Sequence, residues 1–441
     1  MEINIQNIIN SKHVISYNIP NKTDFYKASI IGPPDYDSEF ILFFSTNTND
    51  QRWYTSKTNR SILVKRLSKI KDNWIFVIDD IRLLASRKNY YILVNSVNLF
   101  IELLVKEHLG YLNTKVIAIT GSVGKTTLAR IISLLIESSQ LIDVKRLTPL
   151  TLADFVFNKL ETRTQFLITE VGLYYPGQIT HLTNILSPYI GVITNIYDMH
   201  IGWNHIQSRS NLLTEKMCLL FNSQIRIVSS ELFENYSISH SFYKNNVIYN
   251  SSNYINVVNS SKILPKTNVS KNILELIDII LDKCNCNNKR NISRTIQINS
   301  SLLRFHKYTI GPKEIYVDSH SSIAGYFQAM SCHWYKSVLL IILSLHFPIE
   351  ENISENIQRI KKTFPLFNTI LISNKLKHYF GNIGNERIKY ISDNGFLKEI
   401  INEQTVIIHD PKGVRFLRNN EKKWKEIINS NPANYKTNYS N

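Results

Sequence analysis

The chain has 441 residues, of which 43% are hydrophobic and 20% charged, and its formal net charge is +16. This length suffices for about three domains with cores of their own, and the composition is that of a globular protein rather than a disordered one. Lysines and arginines are spread from end to end without a basic block, so the charge indicates anionic small-molecule substrates and no nucleic-acid partner.

The cysteines and the N-terminus bear on localisation. The four cysteines, Cys218, Cys284, Cys286 and Cys332, cannot form a disulfide framework for a chain of this size. The N-terminus has no basic segment followed by an apolar core, and the longest apolar run, Val338–Leu343, is too short to span a bilayer. We therefore expect an unprocessed, cytoplasmic monomer without a membrane span.

Residues 1–112 alternate apolar runs with polar, turn-rich stretches. The runs Phe40–Phe44 and Trp74–Ile78 predict strands, and Ser96–Leu109 has the apolar spacing of an amphipathic helix. These elements predict a small α/β domain.

Residues 113–299 have a different pattern, in which buried parallel strands are separated by helical segments. The polar stretch Lys244–Lys271 is interpreted as surface structure, and Asn272–Asp282 as the helix that closes the domain. The pattern predicts a doubly wound nucleotide-binding domain. Its predicted strands are Val116–Thr120, Phe166–Thr169, Ile190–Thr194 and Ile225–Val228.

Residues 300–441 again alternate strands with helices, which predicts a third α/β domain. The tail from Asn429 is polar, and we expect it to be disordered. The predicted strands are Ile315–Val317, Val338–Leu343, Thr369–Ile372 and Val406–Ile408.

The segment at residues 116–127 reads Val-Ile-Ala-Ile-Thr-Gly-Ser-Val-Gly-Lys-Thr-Thr, an apolar strand followed by a phosphate loop. Gly121 and Gly124 allow backbone N–H groups to point inward, and Lys125 supplies a charge for the β and γ phosphates of a nucleoside triphosphate. The next hydroxyl, on Thr126, can bind Mg²⁺. The candidate nucleotide-binding residues are Gly121, Ser122, Val123, Gly124, Lys125, Thr126 and Thr127.

Three polar residues downstream are candidate metal ligands or catalytic groups. Glu170 ends a predicted strand, at the edge where an open α/β sheet holds its ligands, and is a candidate metal ligand. His200 follows the next predicted strand and is a candidate second ligand. Lys216 lies in a helical run and, considered alone, would be an ordinary surface lysine.

Taken together, these motifs resemble the Mur ligases, most closely the MurF type. The resemblance rests on Thr-Gly-Ser-Val-Gly-Lys-Thr-Thr, Glu-Val-Gly, Pro-Gly-Gln-Ile and Thr-Asn-Ile-x-x-x-His, with a lysine sixteen residues after that histidine. It implies a central doubly wound P-loop ATPase domain between an N-terminal α/β substrate domain and a C-terminal Rossmann-like domain that closes over the site. It also implies ATP and Mg²⁺ as cofactors.

The resemblance assigns roles to the candidate residues. Lys125 would bind the phosphates, Thr126 and Glu170 one Mg²⁺, and His200 a second Mg²⁺. Lys216 would be a carbamate formed with CO₂, because a hard oxygen donor suits Mg²⁺ and an amine does not.

Weaker likenesses lie outside the central motifs. Asn268, in Leu-Pro-Lys-Thr-Asn-Val, stands where the family contacts the adenine. Arg304 corresponds to the arginine of an inter-domain hinge, and Asp318 to an acidic strand end that meets the nucleotide.

The departures from the family concentrate where substrate, rather than ATP, should bind. The N-terminal segment lacks the Asp-Ser-Arg element of a typical MurF. The Asn-rich stretch expected before Pro149-Leu150-Thr151-Leu152 is missing, and Val144-Lys145-Arg146 stands there instead. In the third segment, the expected Asp-Asp-Ser-Tyr-Asn-Ala-Asn-Pro has become Val317–Ala324.

The favoured interpretation is an ADP-forming ligase that makes an amide through an acyl phosphate, joining D-alanyl-D-alanine to UDP-N-acetylmuramoyl-tripeptide in peptidoglycan precursor synthesis. One alternative is a ligase of the same architecture that uses another acid and amine. A second is a turnover-deficient relative that acts as a nucleotide-binding partner, which ATP hydrolysis by the isolated chain would exclude.

Overall fold

The structure is a computed structural model, and it describes residues 3–4, 9–20, 25–29, 41–45, 74–84, 90–144, 146–196, 206, 208–229, 246–249, 271–286, 305–310, 313–318, 339–342, 357–358, 360–362, 364–381, 386–392 and 405–409. The chain divides into two compact units. The first comprises Met1–Gly121, Ile132–Ile193 and Ser210–Ile248, and the second comprises Ser122–Ile131, Thr194–Arg209 and Tyr249–Asn441.

The first unit contains an N-terminal six-stranded sheet of order β1-β3-β4-β5-β6-β2. The four inner strands β3 to β6 are parallel to one another. The edge strands β1 and β2 pair antiparallel with β3 and β6. All five side chains of β5 are buried, which explains why this strand is a continuous apolar run. The strands are β1 (Ile3–Asn4), β2 (Val14–Asn18), β3 (Phe25–Ser29), β4 (Ile41–Ser45), β5 (Trp74–Ile78) and β6 (Tyr90–Val94).

The second sheet has the order β12-β11-β10-β7-β9-β8, and β7 to β11 form a parallel series with β7 near its centre. Parallel strands connected by helices carry their ligand groups at the carboxyl edge of the sheet. The strands are β7 (Lys115–Thr120), β8 (Ser139–Ile142), β9 (Phe166–Glu170), β10 (Ile190–Ile193), β11 (Ile225–Ser229) and β12 (Asn246–Tyr249).

Helices connect these strands, and three of them pack together within the first unit. The helix α1 (Val97–Tyr111), which leads from β6 to β7, contacts α3 and α4. Its Glu102 pairs with His181 of α4 through Oε1 and Nε2, 2.5 Å apart. The other connecting helices are α2 (Lys125–Leu135), α3 (Pro149–Asn158), α4 (Gln178–Leu186) and α5 (Arg209–Phe221).

A pair of buried aromatic rings links the N-terminal sheet to the helices of the second sheet. Phe44 of β4 and Phe157 of α3 stack with their ring centroids 6.4 Å apart, and His108 of α1 meets the same Phe157 ring edge-on at 6.2 Å. Phe44 and Phe157 are at most 2% exposed. Burying two rings of this size makes this contact a main source of stability in the first unit.

The second unit contains the third sheet, of order β13-β14-β18-β15-β16-β17. The hairpin strand β13 is antiparallel, and the remaining five strands are parallel. The unit also contains the helices α6 (Lys271–Lys283) and α7 (Lys377–Phe380). The strands are β13 (Phe305–Ile310), β14 (Lys313–Asp318), β15 (Leu339–Ile342), β16 (Thr369–Ser373), β17 (Ile388–Ile391) and β18 (Thr405–His409).

The sheets confirm the predicted α/β class. Every strand predicted from an apolar run is present within one or two residues at each end. The stretch Lys244–Lys271, interpreted as surface structure, includes the edge strand β12 at Asn246–Tyr249. The three sheets fall within residues 1–112, 113–299 and 300–441, and those domain boundaries stay predictions. Within the described ranges, no helix combines the length and hydrophobicity that crossing a bilayer requires.

Candidate active site

The phosphate loop joins the end of β7 to the start of α2. Gly121 and Gly124 have φ values of 139° and 87°, a left-handed region that disfavours side chains, so the two glycines shape this turn. The helix begins at Lys125, whose Nζ donates to the carbonyl of Ser122 at 3.2 Å. A loop that closes onto a helix N-terminus provides backbone N–H groups and a positive dipole end for a phosphate.

Two residues after β10 fix the shape of this loop. Asn195 accepts the N–H of Ser122 at its carbonyl, 3.0 Å away, and the N–H of Val123 at its side-chain Oδ1, 2.9 Å away. The carbonyl of Val123 accepts hydrogen bonds from Asn195 Nδ2 at 3.0 Å and Thr194 Oγ1 at 2.6 Å. Neither Thr194 nor Asn195 was a predicted site residue, although both belong to the Thr-Asn-Ile motif.

The candidate metal ligand Glu170 is the last residue of β9 and is half-buried. It is in register with Ile119 of β7, and the N–H of the next residue, Val171, donates to the Ile119 carbonyl at 2.8 Å. Glu170 therefore lies at the carboxyl edge of the sheet, on the strand adjacent to the one that leads into the phosphate loop.

The side chain of Lys216 is buried, with only 2% of its surface exposed. The nearby α5 residues Leu212, Leu213, Met217, Leu219 and Leu220 are also buried. A lysine is almost never fully buried unless its charge is compensated or chemically altered, since an isolated buried charge is very costly. This burial does not fit an ordinary surface lysine, and the role of Lys216 as a metal ligand stays a prediction.

The neighbour of Lys216 anchors the Pro-Gly-Gln-Ile segment. The Gly177 N–H donates to both carboxylate oxygens of Glu215, at 2.9 and 3.0 Å. The next residue, Gln178, is 1% exposed and uses both ends of its amide: Oε1 accepts the N–H of Tyr174 at 3.0 Å, and Nε2 donates to the carbonyl of Leu147 at 3.2 Å. The loops that follow β8 and β9 are thus tied to each other and to α5.

Asp318 is a further predicted site residue that the structure describes. Asp318 is the last residue of β14, in register with His409 of β18. His200, Asn268 and Arg304 lie outside the described residues. Among the residues that are described, no three His, Cys, Asp or Glu side chains cluster closely enough to hold a metal ion.

Comparison with known proteins identifies the central segment. Residues 119–329 match the family model described as Mur ligase middle domain. The chain is similar to the UDP-N-acetylmuramoyl-tripeptide:D-alanyl-D-alanine ligase of Rickettsia prowazekii, with 29% identity over 160 residues, and to that of Buchnera aphidicola, with 34% identity over 97 residues. The first alignment covers 35% of this chain and 31% of the relative, and the second covers 20% of each.

Solved structures extend the likeness in fold to nearly the whole chain. MurF from Acinetobacter baumannii matches with a TM-score of 0.66 and 12% identity, covering 97% of this chain and 99% of the other. MurF from Thermotoga maritima, solved in complex with ADP, matches with a TM-score of 0.64 and 14% identity over 92% and 98% of the two chains. At such low identity the matches establish a shared fold.

Proposed function

We propose that this chain, whose residues 119–329 form a Mur ligase middle domain, is an ATP-dependent, ADP-forming ligase that joins a carboxylic acid to an amine. The reaction proposed in detail adds D-alanyl-D-alanine to UDP-N-acetylmuramoyl-tripeptide. The single observation that carries the proposal is the burial of Lys216, at the position where the family resemblance requires a carbamate. A lysine is almost never fully buried unless its charge is paired or chemically altered.

The phosphate loop fits ATP. Gly121 and Gly124 have positive φ values, and the Asn195 amide holds the backbone of Val123 between them. A preorganised loop loses little conformational freedom on binding. In this account, Lys125 attracts the β and γ phosphates, and the N-terminal turn of α2 provides further donors.

The donor set also fits Mg²⁺. The proposed ligands are the hydroxyl of Thr126, the carboxylate of Glu170, the imidazole of His200 and the carbamate of Lys216. Three of them are oxygen donors, which Mg²⁺ prefers, and His200 would contribute a nitrogen. When bound, Mg²⁺ supplies positive charge that reduces the repulsion between a carboxylate and the γ-phosphate.

The chain's own groups act by charge and alignment. The acid's carboxylate attacks the γ-phosphate and ADP leaves, and the amine then attacks the acyl phosphate to give the amide and phosphate. Lys125 stabilises negative charge on the transferred phosphoryl group. Holding the reactants in line converts a bimolecular reaction into an effectively unimolecular one, which lowers the activation barrier.

The fold and the partial sequence matches support the specific substrates, and the departures from the family motifs leave room for another acid and amine. We further propose a cytoplasmic monomer with a substrate domain at residues 1–112, an ATPase domain at 113–299 and a Rossmann-like domain at 300–441. Asn268, Arg304 and Asp318 are the proposed nucleotide contacts outside the phosphate loop.

The proposal is tested by ADP release from the purified protein with ATP, Mg²⁺ and bicarbonate. Release that requires both UDP-N-acetylmuramoyl-tripeptide and D-alanyl-D-alanine supports it. If ATP binds and neither substrate stimulates release, the substrates are wrong. If ATP does not bind, the ligase assignment itself is wrong.

A further inference from the structure

Arg146 is held between two aromatic rings. Its guanidinium carbon lies 4.6 Å from the ring centroid of Tyr174 and 5.0 Å from that of Tyr175. Both distances are within the range of cation–π attraction. A long, flexible side chain is thereby restricted to one region of the surface.

The location of this cluster points to a ligand. Arg146 follows β8, and the two tyrosines follow β9, the neighbouring parallel strand. Both loops leave the carboxyl edge of the sheet, which is the edge where Glu170 ends β9 and where α/β sheets bind their ligands. The cluster therefore belongs to the binding edge and not to the opposite end of the sheet.

The surrounding contacts fix the cluster in place. Buried Gln178 links the backbone of Tyr174 to that of Leu147, the residue after Arg146. Gly172 leaves room for the Tyr174 ring, because a Cβ at Gly172 would lie 2.9 Å from its Cε2 atom. The carbonyl of Arg146 accepts the Thr151 hydroxyl at 3.3 Å, which ties it to the first turn of α3.

An arginine held by cation–π contacts suits one class of ligand. These contacts use the face of the guanidinium, and its N–H donors lie in the plane of the group. A planar fork of this kind matches the two oxygens of a carboxylate or a phosphate. Because the rings already restrict the side chain, less rotamer freedom is lost when an oxyanion binds.

We infer that Arg146 is a specificity-determining residue that binds an oxyanion of the acid substrate other than the carboxylate that reacts. The inference rests on the proposed function and narrows its substrate to an acid with at least two anionic groups. It accounts for Val144-Lys145-Arg146 standing where the family has an Asn-rich stretch, since a charged fork takes the place of neutral amides. The anion is either a phosphate of the nucleotide carrier or a carboxylate of the peptide.

The test compares R146Q with wild type and with the matched control R163Q. Arg163 precedes β9 at its amino end, is 86% exposed and pairs with Glu161, so R163Q removes the same charge from the opposite end of the strand. Binding is measured by calorimetry for three acids: UDP-N-acetylmuramoyl-tripeptide, the same peptide without its nucleotide diphosphate, and the nucleotide-linked peptide with its side-chain carboxylate amidated. The KM for ATP and the thermal midpoint are measured in parallel.

We expect R146Q to weaken binding of the full acid about ten- to a hundredfold, the size of a lost hydrogen bond to a charged group. The KM for ATP and the thermal midpoint of R146Q should equal those of wild type. R163Q should bind the full acid as wild type does. The acid that lacks the recognised anion should bind wild type and R146Q equally, which identifies the anion as phosphate or carboxylate. R146K keeps the charge without the planar fork, so it should bind the full acid with intermediate strength. If R146Q unfolds, R146K replaces it in the comparison.

Two results would overturn the inference while leaving the ligase proposal intact. One is equal binding of the full acid by wild type and R146Q, and the other is the same loss with all three acids, which would mean that Arg146 only holds the loops. A wild-type chain that binds none of the acids overturns the proposed substrate and this inference together, and that outcome is read from wild type alone.

Discussion

Asn195 and Val123 form a reciprocal pair: the Asn195 amide accepts the N–H of Val123 at 2.9 Å and donates to its carbonyl at 3.0 Å. A side chain that satisfies both backbone groups of one residue determines the orientation of that peptide unit. Because Val123 lies in the middle of the phosphate loop, the strand end after β10 determines how the loop presents its remaining N–H groups.

Replacing Asn195 should therefore weaken ATP binding without unfolding the protein. We expect N195A to raise the Kd for ATP about tenfold, since two hydrogen bonds that order the loop are lost. N195D keeps the acceptor for the Val123 N–H but loses the donor to its carbonyl, so it should raise the Kd for ATP less than N195A does. Fluorescent-nucleotide titration measures both, and an unchanged Kd in N195A would mean that the pair does not shape the binding loop.

Loss of the Lys125 charge should abolish most of the turnover. K125A is expected to lower the rate of ADP release by about 10²-fold or more, the usual cost of removing one main electrostatic stabiliser. K159A removes an exposed lysine whose ion pair with Asp154 spans 3.6 Å, and should leave the rate unchanged. Equal rates in K125A and K159A would remove Lys125 from the mechanism.

The buried Lys216 should be needed in a form that depends on CO₂. K216A should lower turnover by about 10²-fold or more, whereas K283A, at an exposed position near the end of α6, should be neutral. Wild-type activity should fall in buffers freed of bicarbonate and recover when it is added, because the proposed carbamate would form from CO₂. Full activity of K216A would rule out the carbamate.

The stacked pair of Phe44 and Phe157 should contribute strongly to stability. We expect F157A to cost about 3–5 kcal/mol, the range for deleting a buried aromatic ring. F221A removes a ring that is 54% exposed and should cost much less. Urea denaturation followed by circular dichroism compares the two, and similar midpoints would show that the link between β4 and α3 is weak.

His108 should make the first unit less stable in mild acid. Burial lowers the pKa of His108 in the folded state, so the unfolded chain binds its proton more readily. The associated stability is present above the unfolded pKa of about 6.5 and is lost as the pH falls through the lower folded pKa. H108Q should flatten the decrease in thermal midpoint below about pH 6.5. Parallel pH profiles for wild type and H108Q would contradict this assignment.

Sequence patterns predicted the fold well where strands are buried on both faces. Runs such as Trp74–Ile78 stand out because every residue is apolar, and the structure contains that strand with the same bounds. The edge strand β2 was missed because none of its side chains is fully buried, and its Ile15 and Tyr17 are exposed. Edge strands lack the continuous apolar signal on which such predictions depend.

The site was predictable where its chemistry is local in sequence. The spacing of the residues from Gly121 to Lys125 is enough to predict the phosphate loop. The hydrogen bonds between Asn195 and Val123, in contrast, join residues 72 positions apart. The burial of Lys216 and the contacts of Arg146 with two tyrosine rings likewise arise from tertiary packing. Neither feature can be predicted from the identity of a single lysine or arginine in one sequence.

The most direct test of the central claim uses an acid substrate labelled with ¹⁸O in its reacting carboxylate. UDP-N-acetylmuramoyl-tripeptide labelled in this way is incubated with ATP, Mg²⁺, bicarbonate and D-alanyl-D-alanine, and the products are analysed by mass spectrometry. Amide formation through an acyl phosphate predicts one ¹⁸O atom in the released phosphate for each amide formed. ADP and phosphate released without amide product, or amide formed without transfer of the label, would contradict the account.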